Sequence, residues 1–114
     1  MPGRISETLI SSTAASGEAT FYFKDSKAAT IGLAANGGTS PVAAYTVKLY
    51  ATPDTPDAAA YTYKTQGAGA VAVFENVADS NGQPFSFYKM VISYSGLTNT
   101  ETSGAQFTAV ISAI

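Results

Sequence analysis

The sequence predicts an all-β chain, an antiparallel β-sandwich of about eight strands. Short runs of alternating apolar and polar residues recur from end to end, the clearest being Ala43-Ala44-Tyr45-Thr46-Val47-Lys48-Leu49-Tyr50. Between the runs sit Gly, Asn, Asp, Pro and Ser, spaced to turn the chain roughly every 8–14 residues. No window of about 11 residues carries a helical period with caps. Strand number alone leaves the topology open between a jelly roll and an immunoglobulin-like order.

Taken in order, Ile5 to Ser12 forms a first strand, and Ser12 to Gly17 connects it to the next. Ala19 to Lys24 alternates cleanly, with Ala19, Phe21 and Phe23 on one face and Thr20, Tyr22 and Lys24 on the other. Asp25-Ser26-Lys27 is a turn. Thr30 to Ala35 is a short strand closed by Asn36-Gly37-Gly38, where positive φ is cheap. Ala43 to Ala51 is the strongest strand. In Thr52-Pro53-Asp54-Thr55-Pro56-Asp57, each proline pre-sets a tight turn and is followed by Asp, so two consecutive turns are expected. The Ala-rich stretch from Pro56 to Ala60 has room for one helical turn at most.

Ala60 to Thr65 returns as a strand with Tyr61 and Tyr63 in the apolar phase, and Gln66-Gly67-Ala68-Gly69 reads as a flexible link. Val71 to Val77 is the sixth strand, and Asp79-Ser80-Asn81-Gly82 carries a hairpin turn signal. Phe85 to Ser95 is the longest strand. Its apolar phase shifts near Lys89, which predicts a β-bulge there. Gly96 to Gly104 is a polar loop, and Gln106 to Ile114 closes the fold with Phe107, Ala109 and Ile111 inward.

At 114 residues the chain is expected to form a single domain spanning 1–114, with residues 1–4 as a flexible arm. Such a domain buries roughly 65% of its unfolded surface, enough for a core without covalent staples. Charged residues make up only 12%, about half the usual share of roughly 25%. A surface so poor in charge favours packing into an assembly, because little desolvation opposes contact. A Thr/Ser-rich β surface accounts for the low charge equally well. Net charge is −2 with no basic patch, so no nucleic-acid partner is expected. The start, Met1-Pro2-Gly3-Arg4, lacks an apolar signal region, and no run of 18 apolar residues would span a membrane.

Enzymatic chemistry is not expected. The chain has no His and no Cys, which removes the usual base for a Ser or Thr nucleophile and every imidazole or thiolate metal ligand. Asp54 and Asp57 are turn residues, and Glu75 reads as a solvated side chain. Asp79-Ser80-Asn81-Gly82 opens like a calcium loop but lacks its later acidic ligands. Gly67-Ala68-Gly69 precedes no helix and cradles no phosphate. No catalytic residue, cofactor or metal is therefore assigned.

Of the seven tyrosines, Tyr45, Tyr61 and Tyr63 are explained as core. Tyr22, Tyr50 and Tyr94 lie off those apolar stripes or near strand ends, and are the candidates for exposed contact with a protein or, by ring stacking, a glycan. The apolar end Val110-Ile111-Ser112-Ala113-Ile114 needs cover, from its own domain or from a second subunit. Arg4 could pair with an acidic surface. The candidate interface is thus Arg4, Tyr22, Tyr50, Tyr94 and Ile114.

Three segments carry a family resemblance. The run Thr8-Leu9-Ile10-Ser11-Ser12-Thr13-Ala14-Ala15-Ser16-Gly17-Glu18-Ala19 resembles the start of small β-sandwich virion proteins of tailed bacteriophages. Ala44-Tyr45-Thr46-Val47-Lys48-Leu49-Tyr50-Ala51, a Pro/Asp turn and Ala60-Tyr61 are similar to their central hairpin, with Tyr61 where a Trp often stands. Phe87-Tyr88-Lys89-Met90-Val91-Ile92-Ser93 and Ser103 to Ile111 resemble their closing strands. The resemblance implies a non-enzymatic structural protein of the virion, made in the host cytoplasm. It implies a capsid decoration (cement) protein first, and otherwise a head-fibre or tail component. The partners implied are the major capsid protein or other virion subunits, with homo-oligomers on the particle. A carbohydrate or host-surface binding module is the reading from a different class.

Overall fold

A computed structural model describes residues 5–23, 28–36, 42–78, 87–98 and 105–113. It is a β-sandwich of two four-stranded antiparallel sheets. The strands are β1 (Ile5–Ser12), β2 (Gly17–Tyr22), β3 (Ala29–Asn36), β4 (Ala43–Tyr50), β5 (Tyr61–Gly69), β6 (Ala72–Asn76), β7 (Lys89–Ser95) and β8 (Gln106–Ala113). One sheet has the order β1-β8-β3-β6 and the other β2-β7-β4-β5. The pairs β1·β8, β2·β7, β3·β6 and β4·β5 are those of one long hairpin rolled up on itself. That order is a jelly roll, and it resolves the topology that strand count left open.

Alternation decides what each strand buries. In β8, Phe107, Ala109, Ile111 and Ala113 point inward, and in β3 Ala29, Ile31 and Leu33 do. From the other sheet come Phe21 of β2, Met90, Ile92 and Tyr94 of β7, and Tyr45, Val47 and Leu49 of β4. Together they form one apolar cluster between the sheets. No charged or polar side chain is buried among the described residues. Fully burying one such aliphatic or aromatic side chain contributes about 1.5–3 kcal/mol.

Two expectations are corrected. The Gln66–Gly69 link is the second half of β5, paired to β4 as far as Ala43↔Gly69. No bulge interrupts β7, whose register with β2 and β4 is unbroken from Lys89 onward. The phase shift seen in sequence instead falls at the bend before the strand, between buried Phe87 and buried Met90. The bulges sit on edge strands, at Leu9 in β1, at Tyr63 in β5, and again between Gln66 and Gly69. Bulges there blunt an edge against unwanted pairing.

Both turns form, the first with Pro53 at its second position as expected, and the second, one residue later than expected, with Pro56 at its first position. Thr55 N–H donates to the Thr52 carbonyl at 3.2 Å, and Ala59 N–H to that of Pro56 at 2.9 Å, within a short 3-10 helix at Asp57–Ala59. The expected turns at Asp25-Ser26-Lys27 and Asp79-Ser80-Asn81-Gly82 lie outside the described residues, as do Gly37 and Gly38 and most of the loop after Thr98. No helix among the described residues is long and apolar enough to cross a membrane.

Candidate functional site

Two outward sheet faces remain once the core is assigned, and they differ in chemistry. On the β1-β8-β3-β6 sheet, strand register lays the side chains out in rows. The central row is Thr8, Val110, Gly32 and Phe74. Beside it runs Ser11, Thr108, Ala34 and Ala72, and on the other side Ser112, Thr30 and Asn76. None of these is charged. Phe74 is 82% exposed, far more than any other large hydrophobic side chain described.

Gly32 explains how Phe74 is held. A Cβ at position 32 would lie 3.0 Å from Val110 Cγ2 and 3.3 Å from Phe74 Cδ2. The two apolar side chains therefore close over a glycine that a strand interior would otherwise disfavour. The result is a short apolar ridge from Val110 in β8 to Phe74 on edge strand β6, flanked by hydroxyls and small residues.

The β2-β7-β4-β5 face is more polar. Its rows are Glu18, Ser93, Thr46 and Thr65; Thr20, Val91, Lys48 and Thr62; and Tyr22, Lys89 and Tyr50. An open hollow of ≈ 370 Å³ is lined by Ala44, Thr46, Thr65, Gln66, Ser93 and Ser95 among others. Thr46 and Thr65 share a hydrogen bond of 3.3 Å across its floor. At the opposite end of the face, the rings of Tyr22 and Tyr88 meet edge-on at 5.5 Å.

The sequence candidates fare unequally. Tyr22 is exposed as expected, at 53%. Tyr50 and Tyr94 are not: both are buried within the chain. Tyr50 does lie on the outward phase of β4. Its hydroxyl donates to Asp57 Oδ1 at 2.9 Å, and Lys89 Nζ lies 4.5 Å from its ring centre. The bond to Asp57, then burial, raises its pKa. Tyr94 is in the inward phase, stacked on Phe107 at 4.2 Å, and its hydroxyl donates to the Ala14 carbonyl at 2.8 Å. Arg4 and Ile114 lie outside the described residues.

Tyr61, expected in the core, is 45% exposed: it pairs with inward Leu49, but β5 is an edge strand at the rim of the sandwich. Glu75 is not a freely solvated carboxylate. It accepts hydrogen bonds from Lys64 Nζ and the Tyr63 hydroxyl, clasping edge strand β5 of one sheet to edge strand β6 of the other. Burial pushes its carboxyl up, but those two hydrogen bonds and the Lys64 charge outweigh this and hold it below the ordinary range. Tyr63 is correspondingly raised, by burial first and then by its bond to Glu75. Among the described residues no three acidic side chains converge as a metal site would need.

Phe74 is the residue the sequence reading passed over. The signal was present: Val71, Val73 and Val77 share one phase of the strand, which sends Phe74 to the other.

Neither a protein-family model nor a curated protein matches the chain. Among solved structures, a chain from one titled "Structure of infectious bursal disease virus Gx strain" is similar over 100% of this chain, at 12% identity and a TM-score of 0.42. This chain spans 32% of that chain.

Proposed function

We propose that the chain is a non-enzymatic structural protein of a virion, and more finely a capsid decoration protein that binds and stabilises the shell of a tailed bacteriophage. The observation that carries this reading is the outer face of the β1-β8-β3-β6 sheet, uncharged among the described side chains, with Phe74 exposed on its edge strand β6. An exposed aromatic side chain packed on Val110 beside a face of hydroxyls and small residues supports a place where another protein sits. Jelly rolls are common among viral capsid domains, which agrees with the reading without carrying it. The major capsid protein is the partner, the particle is the location, and many copies give avidity to contacts that are individually modest. A head-fibre or tail position uses the same surface chemistry.

The test is cosedimentation of the purified chain with shells assembled from the major capsid protein of the same virion. Saturable binding at a fixed ratio, with shells that then resist heat, supports the reading. No association with shells, expanded or unexpanded, removes it.

A second reading has its own observation. The Tyr22–Tyr88 pair and the hydroxyl-lined hollow share the β2-β7-β4-β5 face, and a glycan could stack on the rings while its hydroxyls meet Thr46, Thr65, Ser93 and Ser95. A glycan array with wild type and Tyr22→Ala separates the two. A sugar-specific signal lost in the variant favours the binding module.

A further inference from the structure

We infer that the free edge of β6 takes an extended segment of the shell protein as an added strand, docked on the backbone of Ala72 and Phe74. The inference rests on the reading of the chain as a decoration protein. It deepens that reading by naming how the partner is held, backbone to backbone beside the Phe74 ring.

β6 is last in its sheet and pairs on one side alone, with β3. Ala35 N–H donates to the Val71 carbonyl at 3.0 Å, and Val77 N–H to that of Ala29 at 2.8 Å. Bonded and non-bonded pairs alternate in an antiparallel ladder, so Val71, Val73, Glu75 and Val77 turn their N–H and C=O groups to β3. Those of Ala72, Phe74 and Asn76 point the other way. The Asn76 carbonyl already accepts from the Tyr63 hydroxyl at 3.4 Å. Ala72 and Phe74 are left, both exposed and with no other backbone partner among the described residues. Their donors and acceptors repeat about 7 Å apart along one line, which matches the backbone of another extended chain.

The four sheet edges are not alike. β1 is bulged at Leu9 and β5 is bulged twice, which turns an edge away from a new partner. β2 is regular but carries the exposed charge of Glu18. β6 keeps an unbroken register, and its one charge, Glu75, is bound by Lys64 and Tyr63. An added strand lies about 4.8 Å beyond β6. The residue opposite Phe74 then stands on the same face and covers the side of the ring turned away from Gly32. The partner segment is therefore extended and places an apolar side chain at that position.

Proline tests the edge without breaking the sheet. Ala72→Pro removes an outward N–H that no strand of this chain uses, so the variant should fold and melt close to wild type. Val73→Pro removes an N–H that β3 uses, at Leu33, and should lower the melting temperature clearly. In cosedimentation with shells of the major capsid protein, Ala72→Pro should weaken binding about tenfold or more, since it deletes a hydrogen bond and orphans an acceptor on the partner. Hydrogen exchange reads the same contact in the wild-type chain: across residues 71–76 it should slow when shells are bound. Shell binding that Ala72→Pro leaves intact, exchange that shells leave unchanged, or a Val73→Pro protein that melts like wild type overturns the inference and leaves the decoration reading standing. A wild type that binds no shell removes the decoration reading and this inference with it.

Discussion

Replacing Gly17 with alanine puts a Cβ 2.9 Å from Cε1 of Tyr94 and 3.4 Å from both its Cζ and its hydroxyl oxygen. Carbon atoms prefer about 3.5–4.0 Å, so the ring must withdraw by more than half an ångström or β2 must move. Neither is easy. Tyr94 is backed by Phe107 in a near-parallel stack at 4.2 Å, and its hydroxyl is held by the Ala14 carbonyl. Overpacking of this kind costs about 1–3 kcal/mol. Alanine returns about 0.4–1 kcal/mol by restricting the unfolded chain. The net expectation is a loss of about 1–2 kcal/mol, or about 4–8 °C in Tm for a domain of this size. Gly67→Ala is the control. Nothing lies within 4 Å of its added Cβ, so it should be neutral or slightly stabilising. Thermal and urea melts followed by circular dichroism read both. In a Tyr94→Leu background the cost of Gly17→Ala should largely vanish, because the clashing ring is gone. A Gly17→Ala protein as stable as wild type, or a cost that persists without Tyr94, would refute the reasoning.

Further expectations concern the core, the clasp and pH. Phe107 is fully buried, so Phe107→Ala should cost about 3–5 kcal/mol, a large part of the total stability of such a domain, and shift the urea midpoint accordingly. Gly96 has φ of +67°, and Gly96→Ala should cost about 1 kcal/mol through backbone strain alone, read as a lower Tm with unchanged fold by circular dichroism. Glu75→Gln should cost less than about 1 kcal/mol at neutral pH, because the Lys64 and Glu75 side chains remain about a third exposed, at 31% and 35%. Its signature is in acid. The folded pKa of Glu75 is lowered, so its contribution is present above the ordinary carboxylate range and lost as pH falls through the folded value. Urea midpoints of wild type and variant should therefore converge at low pH. At the alkaline end Tyr45, Tyr50 and Tyr63 are all raised, so their contribution is complete below about pH 10 and lost as pH rises beyond it. Tyr63→Phe should flatten that alkaline loss.

Most of the fold was legible because alternation is a local signal. The apolar phases of Phe21, of Val47 and Leu49, and of Phe107, Ala109 and Ile111 match the buried faces observed. The Pro53 turn was legible for the same reason, since φ at proline is fixed by its ring. Strand order was not, because pairing β1 with β8 joins segments about a hundred residues apart and no local pattern records it. The candidate tyrosines failed on nonlocal cover. Tyr50 has the outward phase the sequence indicates, yet it is buried, with Asp57 of the following turn bonded to its hydroxyl and Lys89 set over its ring. Tyr61 and Glu75 were misplaced because β5 and β6 are edges, where an inward-phase side chain can stay exposed and the opposite sheet comes within reach. Phe74 could have been found from the valines around it. Its importance could not, because the exposure depends on Gly32 and Val110 in neighbouring strands.

The most direct measurement of the central claim is the number of copies of this chain per particle, by quantitative mass spectrometry of purified virions. A structural protein bound at symmetry-related sites predicts a copy number in fixed proportion to the major capsid protein, unchanged between preparations. A chain absent from purified particles, or present in amounts that vary with the preparation, contradicts it.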